Sequence, residues 1–176
     1  QESIPIWYGG QSEHAIRRAA RMADAWSMSP IETRSELADS ADTYREALDG
    51  QDRSYGTVRK PLRREAYIAE DDETAWEEVG PSLLYEYQDV YGDYDDIGHT
   101  FESDSDTEAA IEELREHAEE RFIIGGPETA IEELERYEEA IGMDDVILRM
   151  HFPGLDPEKS GKSMRLVAEE VMPHFQ

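Results

Sequence analysis

The apolar positions of this chain form two recurring patterns, short unbroken runs and runs at helical spacing. The unbroken runs predict buried strands, and they lie at residues 4–8, 25–28, 64–69 and 146–150. Between them, apolar residues recur every three or four positions and predict amphipathic helices. Strands that alternate with helices, without a hairpin signal, are typical of an α/β fold. We therefore expect about four β/α units with parallel strands.

The middle of the chain departs from this regularity. Apolar residues keep a helical spacing from Trp76 to Tyr87, but Gly80-Pro81 is expected to break or restart that helix because proline lacks an N–H donor. Residues 91–107 are rich in Asp, Gly and Ser, which predicts an acidic loop or insertion within one domain spanning 1–176. Such a loop either lies over an active site or is a salt-adapted insertion.

The first predicted strand leads into two glycines and a serine, followed by a helix over Glu13 to Met22. Glycines let an anion approach the backbone closely, and Ser12 is a preferred helix cap. The free N–H groups of the helix and the positive end of its dipole favour an anion at the same place. Two interpretations stay open from these residues alone, a phosphate-binding turn and an ordinary structural turn. A second apolar run with two glycines, Arg121–Glu128, repeats the pattern.

The charge of the chain is extreme, since 43 acidic residues against 17 basic ones give a formal net charge of −26. The acids lie at polar positions of the predicted helices rather than in blocks, which favours a folded protein that works in concentrated salt. A partner that binds an acidic surface is the alternative. Nucleic-acid binding is excluded for want of Lys/Arg patches.

Cysteine is absent, so disulfides and thiol chemistry are excluded. No apolar run has the length of a membrane span and no signal peptide is visible, so a cytoplasmic location is the default expectation. Because the chain begins with Gln1, we expect that it is processed, cut from a longer protein, or given without its first residues.

Other candidate groups are weaker. The five histidines show no paired metal spacing, so no metal site is predicted. Residues 93–98 are similar to a calcium loop, but Ile97 stands where an oxygen ligand is needed, which favours a solvated loop. Arg17 and Arg18 either reach a phosphate or form ion pairs, and the second is favoured. Trp7 and Trp26 are expected in the core rather than stacked on a ligand.

Five stretches carry a resemblance to a known family by their order and spacing: Ile4–Ser12, Ala15–Trp26, Arg121–Glu128, Leu148–Gly154 and Ala168–Phe175. Together they resemble the luciferase-like family of flavin-dependent oxidoreductases, which includes bacterial luciferase, alkanal monooxygenases and deazaflavin-dependent reductases. The resemblance implies the C-terminal half of a TIM-type (β/α)8 barrel, because a complete barrel takes about 250 residues.

The resemblance also implies a function. FMN or a deazaflavin coenzyme would be held through its phosphate by Gly9, Gly10, Gln11 and Ser12, although a second hydroxyl often found one helical turn further is Ala15 here. Arg149 and His151, at the end of the last strand, are possible residues facing the substrate or the flavin ring. A small-molecule substrate is implied as well. The expected assembly is a homodimer or a complex with the missing N-terminal half, and the alternative is a non-catalytic, self-associating half-barrel that binds flavin weakly or not at all.

Overall fold

The structure, a computed structural model, describes residues 4–90 and 107–176. The strands are β1 Trp7–Gly9, β2 Ala25–Ser27, β3 Pro61–Ile68, β4 Ile123–Gly125 and β5 Asp145–Arg149. The α-helices are α1 Glu13–Met22, α2 Arg34–Asp49, α3 Asp72–Tyr85, α4 Thr107–Ala118, α5 Pro127–Ile141 and α6 Pro157–Leu166. Short 3₁₀ or π segments are Tyr55–Thr57, Glu86–Val90, Val167–Val171 and Met172–Phe175. The predicted acidic loop at 91–107 lies outside the described residues, except for Thr107.

The chain divides into two compact units, residues 1–64 with 135–148 and residues 65–134 with 149–176. Strands and helices alternate as predicted, and the registered strand pairs, β1–β2 and β3–β4, are parallel. The α/β class with parallel strands is thereby confirmed. The expectation of a single domain over 1–176 stays a prediction. No helix in the described ranges is long and apolar enough to cross a membrane.

In the first unit, β1 lies beside β2 with Tyr8 opposite Trp26. A parallel bridge joins Ala25 to Arg59, just before β3, and β5 is a neighbour of β3 in its sheet. Helix α1 contributes small side chains and one isoleucine to the core, namely Ile16, Ala19 and Ala20. Tyr44 of α2 packs against Trp26 with ring centroids 5.2 Å apart. This packing fixes the end of β2 beside the end of β1.

Two strand boundaries differ from the prediction for identifiable reasons. β1 begins at Trp7 rather than Ile4, because Asp24 takes both backbone groups of Ile6. Its carboxylate accepts the Ile6 N–H at 2.7 Å, and its own N–H donates to the Ile6 carbonyl at 2.9 Å. β3 begins at Pro61 rather than Arg64, since proline is tolerated at the first strand residue, where no ladder donor is required.

In the second unit, β3 pairs with β4 so that Tyr67 lies opposite Ile124. The core of this unit forms between these strands, α3, α4 and the segment after β5. Its large members are Tyr67, Trp76, Val79, Leu83, Leu84, Tyr87, Leu114, Phe122, Ile124, Phe152 and Leu155. The helical spacing from Trp76 to Tyr87 thus marks a buried face, as its periodicity indicates.

The expectation that Gly80-Pro81 interrupts the third helix is wrong, since α3 continues through Pro81 to Tyr85. Gly80 is where α3 meets α4, because a Cβ there would lie 3.1 Å from Cγ2 of Ile111. Packing of this face offsets the hydrogen bond that Pro81 cannot donate. The helix then loosens into the π segment that begins at Glu86.

Candidate functional site

The turn after β1 is the start of a capped helix. Ser12 is the N-cap of α1, and its hydroxyl accepts the N–H of Ala15 at 3.3 Å. The Ser12 carbonyl accepts the first intrahelical bonds, from Ala15 and Ile16. The N–H groups of the first helical residues, Glu13 and His14, have no carbonyl one turn before them. The turn therefore presents backbone donors together with the positive end of the helix dipole.

The two glycines of this turn serve different purposes. Gly10 has φ +154°, and a Cβ there would lie 2.5 Å from the Cβ of Ala15. Its carbonyl accepts the indole N–H of Trp26 at 3.1 Å. Gly10 is thus required by the chain itself. Within the part of the chain that the structure describes, a Cβ on Gly9 would meet only the Ser27 carbonyl, at 3.9 Å, so packing there does not demand glycine. The space beside Gly9 is open to a close ligand.

The side chain of Gln11 is anchored within the protein, because its amide nitrogen donates to the Ser29 hydroxyl at 2.6 Å. Gln11 can therefore serve an anion through its backbone N–H. All four predicted residues, Gly9 to Ser12, thus lie together on one turn.

The nearby arginines are occupied by other partners. Arg17 pairs with Glu13 at 2.7 Å and with Glu46 at 3.7 Å, which agrees with the favoured ion-pair interpretation. The Arg17 hydrogen bond lowers the pKa of the Glu13 carboxyl below its usual value. Arg18 donates to the Tyr8 hydroxyl at 3.0 Å. Arg17 is thus paired with carboxylates, whereas Arg18 keeps its positive charge beside Tyr8, the residue before the turn.

The second Gly-Gly turn, between β4 and α5, is filled by the chain's own carboxylate. Oδ1 of Asp72 accepts the Gly126 N–H at 2.7 Å and the Thr129 hydroxyl at 2.7 Å. A Cβ on Gly125 would lie 2.4 Å from that oxygen, which explains the glycine. An acidic groove of about 890 Å³ adjoins this turn, lined by Glu70, Asp71, Asp72, Glu73, Gly126, Pro127, Glu128, Thr129, Leu166 and Glu170. Its carboxylates disfavour a further anion.

Arg149 is held by two buried carboxylates. Its guanidinium contacts Glu65 at 3.5 Å and makes a shorter ion pair with Glu86. Glu65 and Glu86 are 3% and 1% exposed, and among the described residues the second carboxylate oxygen of each has no hydrogen-bond donor. The guanidinium also lies 5.3 Å from the centroid of the Phe152 ring. Arg149 is therefore engaged by the protein, although its side chain keeps 26% exposure.

His151 lies two residues further, is exposed, and its Nδ1 is 3.0 Å from the hydroxyl of buried Ser160. Arg149 and His151 belong to the second unit, whereas the turn at 9–12 belongs to the first. Both remain predicted site residues. Among residues 4–90 and 107–176 no group of three or more His, Asp or Glu could hold a metal ion.

The sequence patterns did not predict the positions or contacts of several residues around these sites. Trp26 is fully buried as predicted, but Trp7 is 43% exposed and the prediction of a core position for it is wrong. Ser29 and Asp72 bind turns 18 and 54 residues away, and no local pattern reports such contacts. Arg64 could have been found, since strand alternation puts it on the same face as Leu62 and Ala66.

The fold and the turn define an α/β protein with parallel strands and a glycine-rich turn at a capped helix start. A family model described as luciferase-like monooxygenase matches residues 1–144, so the chain belongs to the luciferase-like monooxygenase family. Among curated proteins, none matches the chain.

Solved structures show a similar fold. The coenzyme F420-dependent tetrahydromethanopterin reductase of Methanopyrus kandleri is 21% identical with a TM-score of 0.73, over 98% of this chain and 51% of that one. Monooxygenase RslO1 of Streptomyces bottropensis is 18% identical with a TM-score of 0.76, over 100% and 50%. The oxygenating constituent of 3,6-diketocamphane monooxygenase from Pseudomonas putida, solved with FMN, is 18% identical with a TM-score of 0.69, over 95% and 47%. The chain thus spans about half the length of these structures.

Proposed function

We propose that this chain is the part of a flavin- or deazaflavin-dependent oxidoreductase or monooxygenase that holds the cofactor phosphate at the turn Gly9–Ser12. The observation that supports it is the contrast between the two Gly-Gly turns. At the second turn Asp72 supplies the anion, whereas the first keeps its backbone donors and the open space beside Gly9. The family's structural neighbours include an F420-dependent reductase and a monooxygenase in complex with FMN.

The roles of the residues follow from the geometry. The turn would bind the phosphate through backbone N–H groups, Ser12 would keep the helix start in place, and Gly10 would allow the backbone to curve around the anion. The bound ring would supply the hydride or oxygen chemistry. We also propose Arg149 and His151 as residues facing the substrate or ring, with Glu65 and Glu86 fixing the orientation of Arg149.

Ser12→Ala tests the phosphate proposal. Loss of one hydrogen bond should weaken FMN binding by about 1 kcal/mol, or about fivefold, while leaving riboflavin, which lacks the phosphate, unaffected. Thr33→Ala is the matched control, because Thr33 caps α2 in the same way but offers no predicted phosphate site. Fluorescence titration of both flavins measures the ratio, and absorbance spectra distinguish a flavin from a deazaflavin. Equal FMN affinity in the Ser12 variant would mean that the turn is only structural.

We further infer that the first unit associates through the outer strands β1 and β5. Large apolar side chains are exposed on or beside them, namely Ile4 81%, Ile6 60%, Trp7 43%, Val146 39% and Ile147 44%. Unpaired strand edges and exposed apolar side chains favour a partner. A second copy of this chain, or the complementary β/α half that the neighbours carry within one chain, would cover them.

Light scattering in concentrated salt tests this association. A species at twice the 20.2 kDa monomer mass supports a homodimer, and Ile147→Lys should dissociate it. Met164→Lys is the control, since Met164 is similarly exposed, at 48%, but lies in the other unit. A monodisperse monomer without dye-binding apolar surface contradicts the inference. A dimer that binds FMN and riboflavin equally weakly supports instead the alternative, a non-catalytic, self-associating half-barrel.

We also propose that the chain works in concentrated salt. The glutamates of α4, of α5 and of the turn after α4 are largely exposed, among them Glu112, Glu113, Glu116, Glu119, Glu132, Glu135, Glu138 and Glu139. With a net charge of −26, their mutual repulsion is tolerable when the screening length is only a few ångströms.

A further inference from the structure

Residues in and just after β2 form hydrogen bonds with the turn Gly9–Ser12. Ser29 accepts the side-chain amide N–H of Gln11 at 2.6 Å, and Trp26 donates to the Gly10 carbonyl at 3.1 Å. Ser29 is 5% exposed and Trp26 is fully buried. Two buried side chains thus fix two successive residues of an otherwise exposed turn.

Ser29 is in turn fixed by a fully buried arginine. Arg64 donates from Nη1 to the Ser29 carbonyl at 2.8 Å and from Nη2 to the Glu32 carbonyl at 2.9 Å. Its Nε donates to the Tyr137 hydroxyl at 2.8 Å. The planar guanidinium therefore holds the segment from Ser29 to Glu32 against β3 and α5. The Ser29 hydroxyl accepts from Gln11 at 2.6 Å and also from the Ile31 N–H at 3.3 Å.

The charge of Arg64 is also retained near this segment. The acceptors of its hydrogen bonds are neutral carbonyl and hydroxyl oxygens. Burial raises the pKa of the Glu32 carboxyl, while its hydrogen bonds with Ser40 and Ser29 and, to a smaller extent, the charge of Arg64 lower it. In a low-dielectric interior a positive charge acts over longer distances than in water.

We propose that Ser29 is a positioning residue for anion binding at the turn Gly9–Ser12, with Arg64 fixing Ser29. Ser29 restrains the Gln11 side chain and thereby the backbone that presents donors to the anion. The proposal rests on the phosphate-binding function proposed above. The Gln11–Ser29 hydrogen bond would thus affect anion binding without contacting the cofactor or the substrate.

A double-mutant cycle between Ser29 and Gln11 tests it, with FMN and riboflavin as probes. Ser29→Ala and Gln11→Ala should each weaken FMN binding about fivefold. The double variant should also lose only about fivefold, because each single change already breaks the Gln11–Ser29 hydrogen bond. Riboflavin binding should be unchanged in all three. Ser40→Ala is the control, since its hydroxyl donates to the Glu32 carboxylate at 2.9 Å and not to the turn.

A measurement without ligand complements the cycle. In the nuclear magnetic resonance spectrum, the side-chain amide of Gln11 should shift in Ser29→Ala and stay in place in Ser40→Ala. Three results would overturn the role of Ser29. Ser29→Ala could keep the wild-type preference for FMN over riboflavin, or it could weaken the affinity for riboflavin as much as that for FMN. The double variant could also lose FMN affinity by the sum of the two single losses. If the wild-type chain binds FMN no more tightly than riboflavin, the phosphate proposal itself fails. If the wild-type chain prefers FMN and Ser29→Ala keeps that preference, only the role of Ser29 fails.

Discussion

Asp72 should stabilise the second unit by capping α5 from outside that helix. Its Oδ1 accepts two hydrogen bonds at 2.7 Å, from the Gly126 N–H and the Thr129 hydroxyl. Asp72→Ala removes both acceptor contacts and leaves a helix N-terminus without its anion. A hydrogen bond to a charged group contributes about 1.5–3 kcal/mol, but Asp72 is exposed, so about 2 kcal/mol in total is expected. For a chain of this size that corresponds to a melting temperature lower by about 6 °C.

Two further variants identify the cause. Asp72→Asn keeps the oxygen and loses the charge, so it should cost about 1 kcal/mol. Gly125→Ala places a Cβ 2.4 Å from Oδ1 and should expel the carboxylate. The double variant Asp72→Ala with Gly125→Ala should therefore be less destabilised than the sum of the two single changes.

Thermal melts followed by circular dichroism in concentrated KCl provide the assay. Glu73→Ala is the matched control, because Glu73 lies in the same helical turn and makes only an exposed ion pair with Arg115 at 3.3 Å. It should cost at most about 0.5 kcal/mol. Two results would refute the capping role of Asp72. Asp72→Ala could have the same melting temperature as Glu73→Ala, or the stability losses of the Asp72 and Gly125 variants could add in the double variant.

Two other predictions concern the solvent. Dilution from about 3 M to about 0.1 M KCl should unfold or expand the chain, because it unscreens a net charge of −26; an unchanged melting temperature would remove the argument for salt adaptation. Burial, aided by Arg121, lowers the pKa of His117 below 6.5, so the unfolded chain binds the proton more readily. The contribution of neutral His117 to the free energy of unfolding is present above pH 6.5 and is lost as the pH falls below that value. His117→Gln should flatten the slope of unfolding free energy against pH in that window, and a parallel slope in the variant would contradict the assignment.

Local pattern was sufficient for most of the elements and for the helix cap at one turn. The helix at Glu13–Met22 has the predicted bounds, and the Gly-Gly-Gln-Ser turn has the predicted cap, because helix periodicity and capping depend on residues a few positions apart. Strand ends were predicted less well, since Asp24 decides where β1 begins and it reaches Ile6 from 18 residues away. Pro81 stays helical because of the packing of α3 against Ile111 at Gly80, which no local rule contains.

The two Gly-Gly turns show why a motif alone leaves function open. Both follow a parallel strand and start a helix, and both gather backbone donors at a positive helix end. At Gly125-Gly126 the carboxylate of Asp72, from α3, accepts the backbone N–H of Gly126. Residue 125 must be glycine because a Cβ there would overlap with that carboxylate. At Gly9-Gly10 the protein instead contributes Ser29 and Trp26, which bind the Gln11 side chain and the Gly10 carbonyl. The same local physics thus produces a structural cap in one place and a candidate ligand site in the other, and the difference lies in one distant aspartate.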